Sequence, residues 1–414
     1  MRMPDTIQVF EYDTLRVGER GFSHDHFTRL AIYQEQRQSP FFSLGHNTIR
    51  FSNFVGVFQV HDLVIEVLPK AGRDDNAELW RSVLIDMLKI SGFLNIRTVS
   101  ESSLTLRGGN LLNFFFGIYL ASCKAIINEG LVRRYRPEQQ NRTALKGRLL
   151  FNEQLRKNLV RKDRFFTHSQ EFTVDNIYNQ ILFKALRIIS SLSTSSAQRR
   201  DAVFLLEHNE AISDIHCTQD TFLRLRYERS TERYRTALRL AELIILNHQP
   251  DLRGGLRSVF AILFPMEALF EAYVTQLLLS ASRKTSSVEV MPQRSTAFWR
   301  MEGQRARTVR PDIILKCKES KKLIILDTKW KVPNKNVLPA SSDLQQMFVY
   351  NKLFGAASSN LVYPETRPTM SKPGTFLGGD HGACSLWFVP IIDPIEKRLN
   401  TALGTTMLAR LTEE

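Results

Sequence analysis

In the N-terminal quarter the apolar positions fall in short β-branched and aromatic runs, "TIQVFEY", "TIRFSNFVGVFQV" and "LVIEVLPK", cut by polar turns such as His61-Asp62. That pattern predicts strands. One helix interrupts them, "SHDHFTRLAIYQEQRQ", opening on Ser23 as an N-cap with Asp25 in the first turn. His24 and His26 have no third metal ligand nearby and read as part of the helix start. From Asn76 the apolar spacing lengthens toward the helical period in "NAELWRSVLIDMLKISG" and "NLLNFFFGIYLASCKAIINEG", stopped by Gly92 and Gly130. Two further helical patterns follow, "VDNIYNQILFKALRIISSL" and "TERYRTALRLAELIILN". The polar stretches "SSLSTSSAQRRD" and "NHQPDLRGG" read as breaks, the second as a domain boundary. Beyond it the pattern predicts a helix from about Phe260 to Ser282, then strands "SVEVMPQ", "DIILKC" and "LIILDTKWK", a helix "SDLQQMFVYNKLFG" and a strand "SNLVY". The order is α-β-β-β-α-β, with one more strand, "SLWFVPII", after the loop "KPGTFLGGDHG". The chain therefore reads as α/β multidomain: a β-rich region at 1–105, a helical, basic middle region at 106–255 and an α/β region at 256–414.

The total of 414 residues exceeds one ordinary core, in keeping with several domains. No apolar run reaches the roughly 18 residues that span a bilayer. "LLNFFFGIYLASC" ends at Lys124, and the run from Val259 to Leu279 contains Pro265, Glu267 and Glu271. The N-terminus lacks a signal-peptide core. A soluble, cytoplasmic protein without a membrane partner is expected. Cys123, Cys217, Cys317 and Cys384 lie far apart, which excludes a zinc ribbon and speaks against a disulfide framework. The formal charge of +14 favours partners that carry phosphate. More than half of it comes from Leu131 to Arg164, where eleven Lys and Arg face only Glu138, Glu153 and Asp163. Arg133, Arg134, Arg136, Lys146 and Arg148 in this segment are candidates for contact with DNA or a protein partner. A solvated basic face explains the run equally well, and the interleaved Tyr135, Phe151, Phe165 and Phe166 fit either a contact surface or a core.

The most informative stretch is "RPDIILKCKESKKLIILDTKWKV", residues 310–332, an apolar strand pair carrying Asp312, Asp327 and Lys329. If its turn is centred between Glu319 and Ser320, Asp312 faces Asp327. Lys329 then shares a face with Asp327, and Thr328 projects away. Two carboxylates so close, beside Ile324, Ile325 and Leu326, are costly unless a cation sits between them. Mg²⁺ suits that place, with Mn²⁺ as second choice, because a hard cation takes oxygen ligands and keeps waters for a phosphate to displace. With a lysine beside it, the pattern points to phosphodiester hydrolysis. An Asp/Glu-x-Lys triplet is weak by itself. Glu319-Ser320-Lys321 matches it and reads as the turn, and a surface hairpin with an ion pair is the structural alternative.

In strand order and motif these residues resemble the PD-(D/E)xK nuclease superfamily, with its restriction-endonuclease-like core. More narrowly the chain is similar to the McrC subunit of McrBC-type 5-methylcytosine-dependent restriction systems. The similarity rests on "GVFQVHDLVIEVLPKAG", "GLVRRYRPEQQ", "LKGRLLF", "MEALFEAYV", "RPDIIL", "ILDTKWK" and "DLQQMFVY". It implies that Asp312 and Asp327 are metal ligands and Lys329 the catalytic lysine. It also implies that an acidic residue of the preceding helix can join the metal; Glu267 and Glu271 lie four apart on one face, Glu271 is the preferred candidate, and two ordinary helix charges are the plainer reading. Gln346 and Tyr350 resemble the Q-x-x-x-Y element of RecB-like nucleases, which faces the active site; a core tyrosine and a surface glutamine are the plainer reading. DNA and an AAA+ GTPase ring, hexameric in such systems and docked through the N-terminal region, are the implied partners. No nucleotide is expected on this chain, since "GTFLGG" from Gly374 is followed by Asp380 where a phosphate loop needs lysine. A non-catalytic DNA-binding activator of the ring and a stand-alone RecB-like exonuclease remain as alternatives.

Overall fold

The two ends of the chain fold together. The computed structural model describes residues 6–70, 76–94, 110–207, 212–248, 259–285, 287–331, 338–365, 371–377 and 382–413. They form two units, Asp5–Asn95 with Leu263–Glu414, and Met1–Pro4 with Ile96–Ile262. The N-terminal and C-terminal regions of the three-part division thus share one unit. The domain boundary expected at "NHQPDLRGG" falls almost wholly outside the described residues.

In the unit built from both ends, the N-terminal runs give β1 (Thr6–Phe10), β2 (Thr14–Arg16), α1 (His24–Arg37), β3 (Phe42–Gly45), β4 (Thr48–Phe51), β5 (Phe54–Val60), β6 (Leu63–Leu68) and α2 (Ala77–Ile90). β5 and β6 are buried along nearly their whole length, which explains their unbroken apolar sequence. The start of α1 follows the sequence closely. Ser23 Oγ accepts the His26 N–H at 3.2 Å, and His26 Nδ1 accepts the Ser23 N–H at 3.1 Å. His26 therefore caps a helix, and its other ring nitrogen lies 3.0 Å from Asp62 Oδ1.

The middle unit holds α3 (Leu111–Asn128), β7 (Arg134–Arg142), β8 (Arg148–Leu149), α4 (Phe151–Asn158), β9 (Phe165–Thr173), α5 (Ile177–Leu192), α6 (Ser196–Glu207), α7 (Gln219–Leu223) and α8 (Arg235–Leu246). Two expectations change here. The basic segment is built on a three-stranded sheet, β7-β9-β8, rather than on helices alone. Pro137 fits because β7 is an edge strand, where a missing N–H costs no ladder bond. Second, α3 is long and apolar enough to cross a membrane by length and composition, contrary to the reading of its sequence. It packs instead against α5, α6 and α8, and the buried Tyr119 hydroxyl donates to the Leu182 carbonyl at 2.6 Å.

Residues expected to begin a long helix form a strand, β10 (Val259–Pro265), at the edge of a sheet ordered β1-β6-β5-β10. Its continuous burial is that of a covered strand, and periodicity cannot separate such a run from a buried helix. After Pro265 come α9 (Met266–Thr285), β11 (Val288–Pro292), β12 (Thr296–Trp299), β13 (Arg307–Val309), β14 (Ile313–Cys317), β15 (Leu323–Thr328), α10 (Ser341–Phe354), β16 (Ser358–Pro364), β17 (Ala383–Val389) and α11 (Leu403–Glu413). Five of the strands make one sheet, β11-β14-β15-β16-β17, antiparallel as far as β15 and parallel beyond it. The β12–β13 hairpin stands apart as a two-stranded ribbon. α10 packs on β15, β16 and β17 over a core of Ile314, Ile325, Met347 and Leu361, and α9 packs against β11 and β15.

Candidate active site

The register of the β14–β15 hairpin is the expected one. Ile313 faces Leu326, Ile314 faces Ile325 and Leu315 faces Ile324, which places Asp312 opposite Asp327 one step beyond the last pair. Asp327 is only 1% exposed, because β16 pairs with its other side at Leu361. Thr328 does not project away from the cluster. Its N–H and its hydroxyl both donate to Asp312 Oδ2, each at 2.7 Å. The β14 ladder ends at Ile313, so the Asp312 carboxylate takes over the donor that the missing strand residue leaves. On the opposite edge the Lys329 N–H donates to the Val362 carbonyl at 2.9 Å, fixing the backbone beneath the lysine.

Lys329 Nζ lies 2.5 Å from Asp327 Oδ2, an ion pair that compensates the charge of the buried carboxylate. Burial, then the charge of Asp312, pushes the Asp327 carboxyl up to about 7 against the pull of Lys329. For Lys329, burial lowers the pKa, but the Asp327 and Asp312 carboxylates with Asp343 outweigh it and the ammonium is favoured.

The helix α10 delivers the remaining polar groups. Gln346 and Tyr350 lie one turn apart on its site-facing side. Gln346 Oε1 accepts from Lys329 Nζ at 3.2 Å, and Nε2 donates to Tyr350 Oη at 2.7 Å and more weakly to Asp327 Oδ1 at 3.4 Å. The Tyr350 hydroxyl donates to the Arg310 carbonyl at 3.1 Å. From α9, Glu271 is raised above the usual carboxylate range by burial and by Asp312, while Gln293, Arg310 and Lys329 oppose the rise. Gln293 Nε2 holds its Oε1 at 2.8 Å. Glu267, one turn earlier, acts instead on Glu11 and Tyr12. Of the two glutamates, Glu271 is thus the one coupled to Asp312 and Lys329.

Asp312, Asp327, Lys329, Gln346, Tyr350 and Glu271 are therefore brought together, and Thr328, Gln293 and Trp330 join them without a signal in the sequence. Trp330 is buried, packs edge-on against Phe270 at 5.2 Å and donates Nε1–H to Glu11 at 2.6 Å. It thereby fixes the neighbours of both Lys329 and Glu271. No three His, Cys, Asp or Glu side chains lie close enough together to hold an ion among the described residues. Within the pair the fit is better. Two facing carboxylates, one buried and with its proton affinity raised although the Lys329 ammonium lies 2.5 Å away, form an oxygen donor set that a hard cation relieves.

A family model, "McrBC 5-methylcytosine restriction system component", matches residues 49–364. The chain belongs to the McrBC family. Among solved structures, this McrBC-family chain shares its fold with a chain of "Refined half-complex from tetradecameric assembly of Thermococcus gammatolerans McrB AAA+ hexamers with bound McrC". There the identity is 19%, the TM-score 0.69 and the coverage 99% of each chain. It also matches a chain of the T. gammatolerans McrBC complex at 22% identity and TM-score 0.52, covering 66% of this chain and 87% of that one. No curated protein matches the chain.

The basic candidates of this McrBC-family chain are not equally available. Arg134 pairs with Glu228 at 2.9 Å, Arg136 with Asp175 at 2.7 Å and Lys146 with Glu171 at 2.8 Å. Arg133 and Arg148 are exposed and make no ion pair among the described residues. Of the interleaved aromatics, Tyr135 and Phe151 are each 71% exposed, whereas Phe166 is buried.

Proposed function

We propose that this chain is the nuclease subunit, McrC-like, of a modification-dependent restriction system. It cleaves DNA phosphodiesters with Mg²⁺ in the cytoplasm and works with an AAA+ GTPase ring of the McrB kind. The supporting observation is the convergence of Asp312, Asp327, Lys329, Gln346 and Tyr350 at one end of the central sheet, in a family of restriction components. The α-β-β-β-α-β order with this carboxylate pair supports a PD-(D/E)xK core. Asp312 and Asp327 would hold the ion, with Glu271 beside them. When bound, the metal supplies Lewis-acid polarisation of the phosphate and lowers the pKa of water. The chain's own contribution is geometric and electrostatic. Thr328 aims Asp312, the fixed backbone of Lys329 points an ammonium at the place where phosphate charge grows, and Gln346 sets the direction of that ammonium. The T. gammatolerans assembly with McrB AAA+ hexamers supports a ring partner for this chain as well.

The test combines purified chain, partner ring, GTP, methylated DNA and Mg²⁺. Cleavage is expected, and Asp327→Ala should remove it by several orders of magnitude while stimulation of the partner's GTPase survives. Stimulation without cleavage by the wild-type chain would make it a non-catalytic activator. Degradation from DNA ends without the ring would make it a stand-alone exonuclease.

A further inference from the structure

The β12–β13 hairpin, inserted between β11 and β14, has a composition at odds with its setting. Residues 293–310 contain Arg294, Arg300, Arg305, Arg307 and Arg310 against the single acidic Glu302. All five arginines are exposed, and Arg300, Arg305 and Arg307 make no ion pair among the described residues. The same ribbon exposes Phe298 at 50%, Trp299 at 50% and Met301 at 48%. A two-stranded ribbon has no core of its own in which to bury such groups. Leaving two large aromatics and a methionine in water is unfavourable unless a partner covers them.

Local backbone geometry makes the display specific. Thr296 pairs with Val309 and Ala297 with Thr308, but Trp299 pairs with Arg307, so Phe298 is an extra residue in a bulge. Regular alternation would send Phe298 and Trp299 to opposite faces; a bulge breaks the alternation, and both rings stand in solvent. The far end turns through Gly303, whose φ of +74° favours glycine, with the Gln304 N–H donating to the Met301 carbonyl at 3.0 Å.

Both roots of the ribbon are tied to the candidate active site. At the entry, the Gln293 N–H donates to the Asp312 carbonyl at 2.8 Å while its side chain holds Glu271. At the exit, the Arg310 carbonyl accepts the Tyr350 hydroxyl. The ribbon therefore starts and ends beside Asp312, where a DNA strand would be seated.

We infer that the β12–β13 hairpin is a DNA-binding element of the nuclease site, its arginines contacting backbone phosphates and Phe298 and Trp299 stacking on bases. The choice of DNA as occupant rests on the nuclease reading; the charge surplus and the interleaved aromatics are what a nucleic acid needs from a surface. Such rings fill pockets on proteins as well, and what favours DNA over an acidic protein is that the roots of the ribbon bond to Asp312 and Tyr350.

The test measures binding of a short fluorescein-labelled DNA duplex to the full chain in metal-free buffer, where cleavage plays no part. Phe298→Ala with Trp299→Ala should weaken binding by about tenfold for each ring, and Trp299→Phe, which keeps a stacking face, should retain most of the affinity. Replacing Arg300, Arg305 and Arg307 by glutamine should reduce the slope of log affinity against log salt by roughly two to three. Unchanged thermal unfolding of these variants excludes misfolding as the cause. The inference is overturned if affinity and slope stay at wild-type values. It is equally overturned if DNA binding is intact and binding of the partner ring is lost, since the ribbon would then be a protein-docking surface. Either result leaves the cleavage test of the wild-type chain untouched, so the nuclease reading stands or falls separately.

Discussion

Glu11 is a carboxylate that water scarcely reaches, 1% exposed, accepting the Lys70 N–H at 2.8 Å and the Trp330 indole N–H at 2.6 Å, with its second oxygen unpartnered. Burial pushes its pKa from 4.5 up to about 7; the two hydrogen bonds oppose the rise, Glu267 adds to it and Lys70 lowers it. The folded state therefore holds this proton over a range in which the unfolded chain has lost it. Stability should be greatest at low pH within that window and fall as pH rises from about 5 toward 7, by roughly 3 kcal/mol at most, then level off. Glu11→Gln should remove the share of this dependence that Glu11 contributes and leave that of Asp327, whose carboxyl is also raised to about 7, read as denaturation midpoints at about pH 5 and about pH 8. An unaltered slope in the variant would place the titrating group elsewhere. Neither Glu11 nor Thr328 was legible in the sequence. Glu11 meets Trp330 across 319 positions, and the role of Thr328 depends on where the β14 ladder stops, which alternation alone does not specify.

Among the elements, those with a local cause were read correctly: the capped start of α1, the glycine-stopped α2 and α3, and the hairpin register that sets Asp312 opposite Asp327. Misread elements have their cause in tertiary context. β10 is a buried apolar run that only its sheet neighbours identify as a strand, and β7 is too polar and irregular to show a period of two. The bulged β12–β13 ribbon was missed because it lacks a core pattern altogether. In the "LKGRLLF" motif, Gly147 shows what an element can require of one residue. Its φ is +79°, and a Cβ there would stand 2.4 Å from the His168 carbonyl oxygen and 2.9 Å from Ser169 Cα. Both neighbours are backbone of β9 and cannot rotate away. Gly147→Ala should therefore cost more than the roughly 1–2 kcal/mol of a left-handed residue alone. The loss should appear as faster limited proteolysis within residues 134–173, while the unit built from the chain's two ends keeps its unfolding temperature. A variant as protease-resistant as the wild type would mean that β8 can shift off β9 at little cost.

Taken over the whole molecule, the charge of +14 is distributed over two kinds of surface. In the unit built from both ends it gathers on the β12–β13 ribbon beside the candidate site. In the middle unit it surrounds exposed apolar groups: Phe151 is 71% exposed, Leu155 61%, Leu159 70% and Val160 92%, and Tyr135 stacks near Phe172 at 5.0 Å. Phe151, Leu155 and Leu159 are spaced four apart and form one stripe on and just beyond α4, bordered by Arg156, Lys157, Arg161 and Lys162. Aliphatic side chains offer a base no stacking face, but they fill pockets on a protein, so this stripe suits a protein partner better than DNA. The partner proposed for this McrBC-family chain is the AAA+ ring, so the stripe would be a second contact, in the middle unit, beside the N-terminal region through which the family resemblance implies docking. Phe151→Ala with Leu155→Ala should then raise the concentration of this chain needed for half-maximal stimulation of the partner's GTPase about tenfold or more, at the loss of about 2 kcal/mol typical of central apolar anchors, and leave the affinity for a DNA duplex unchanged. Arg133→Glu with Arg148→Glu tests the rim by making capture of the ring slower and less salt-sensitive. Arg136→Glu is a poor probe, because it also breaks the pair with Asp175, which itself holds Ser213 through both its N–H and its hydroxyl. If instead the apolar pair of substitutions lowers DNA affinity and spares GTPase stimulation, the middle unit is a DNA surface and the ring must dock elsewhere.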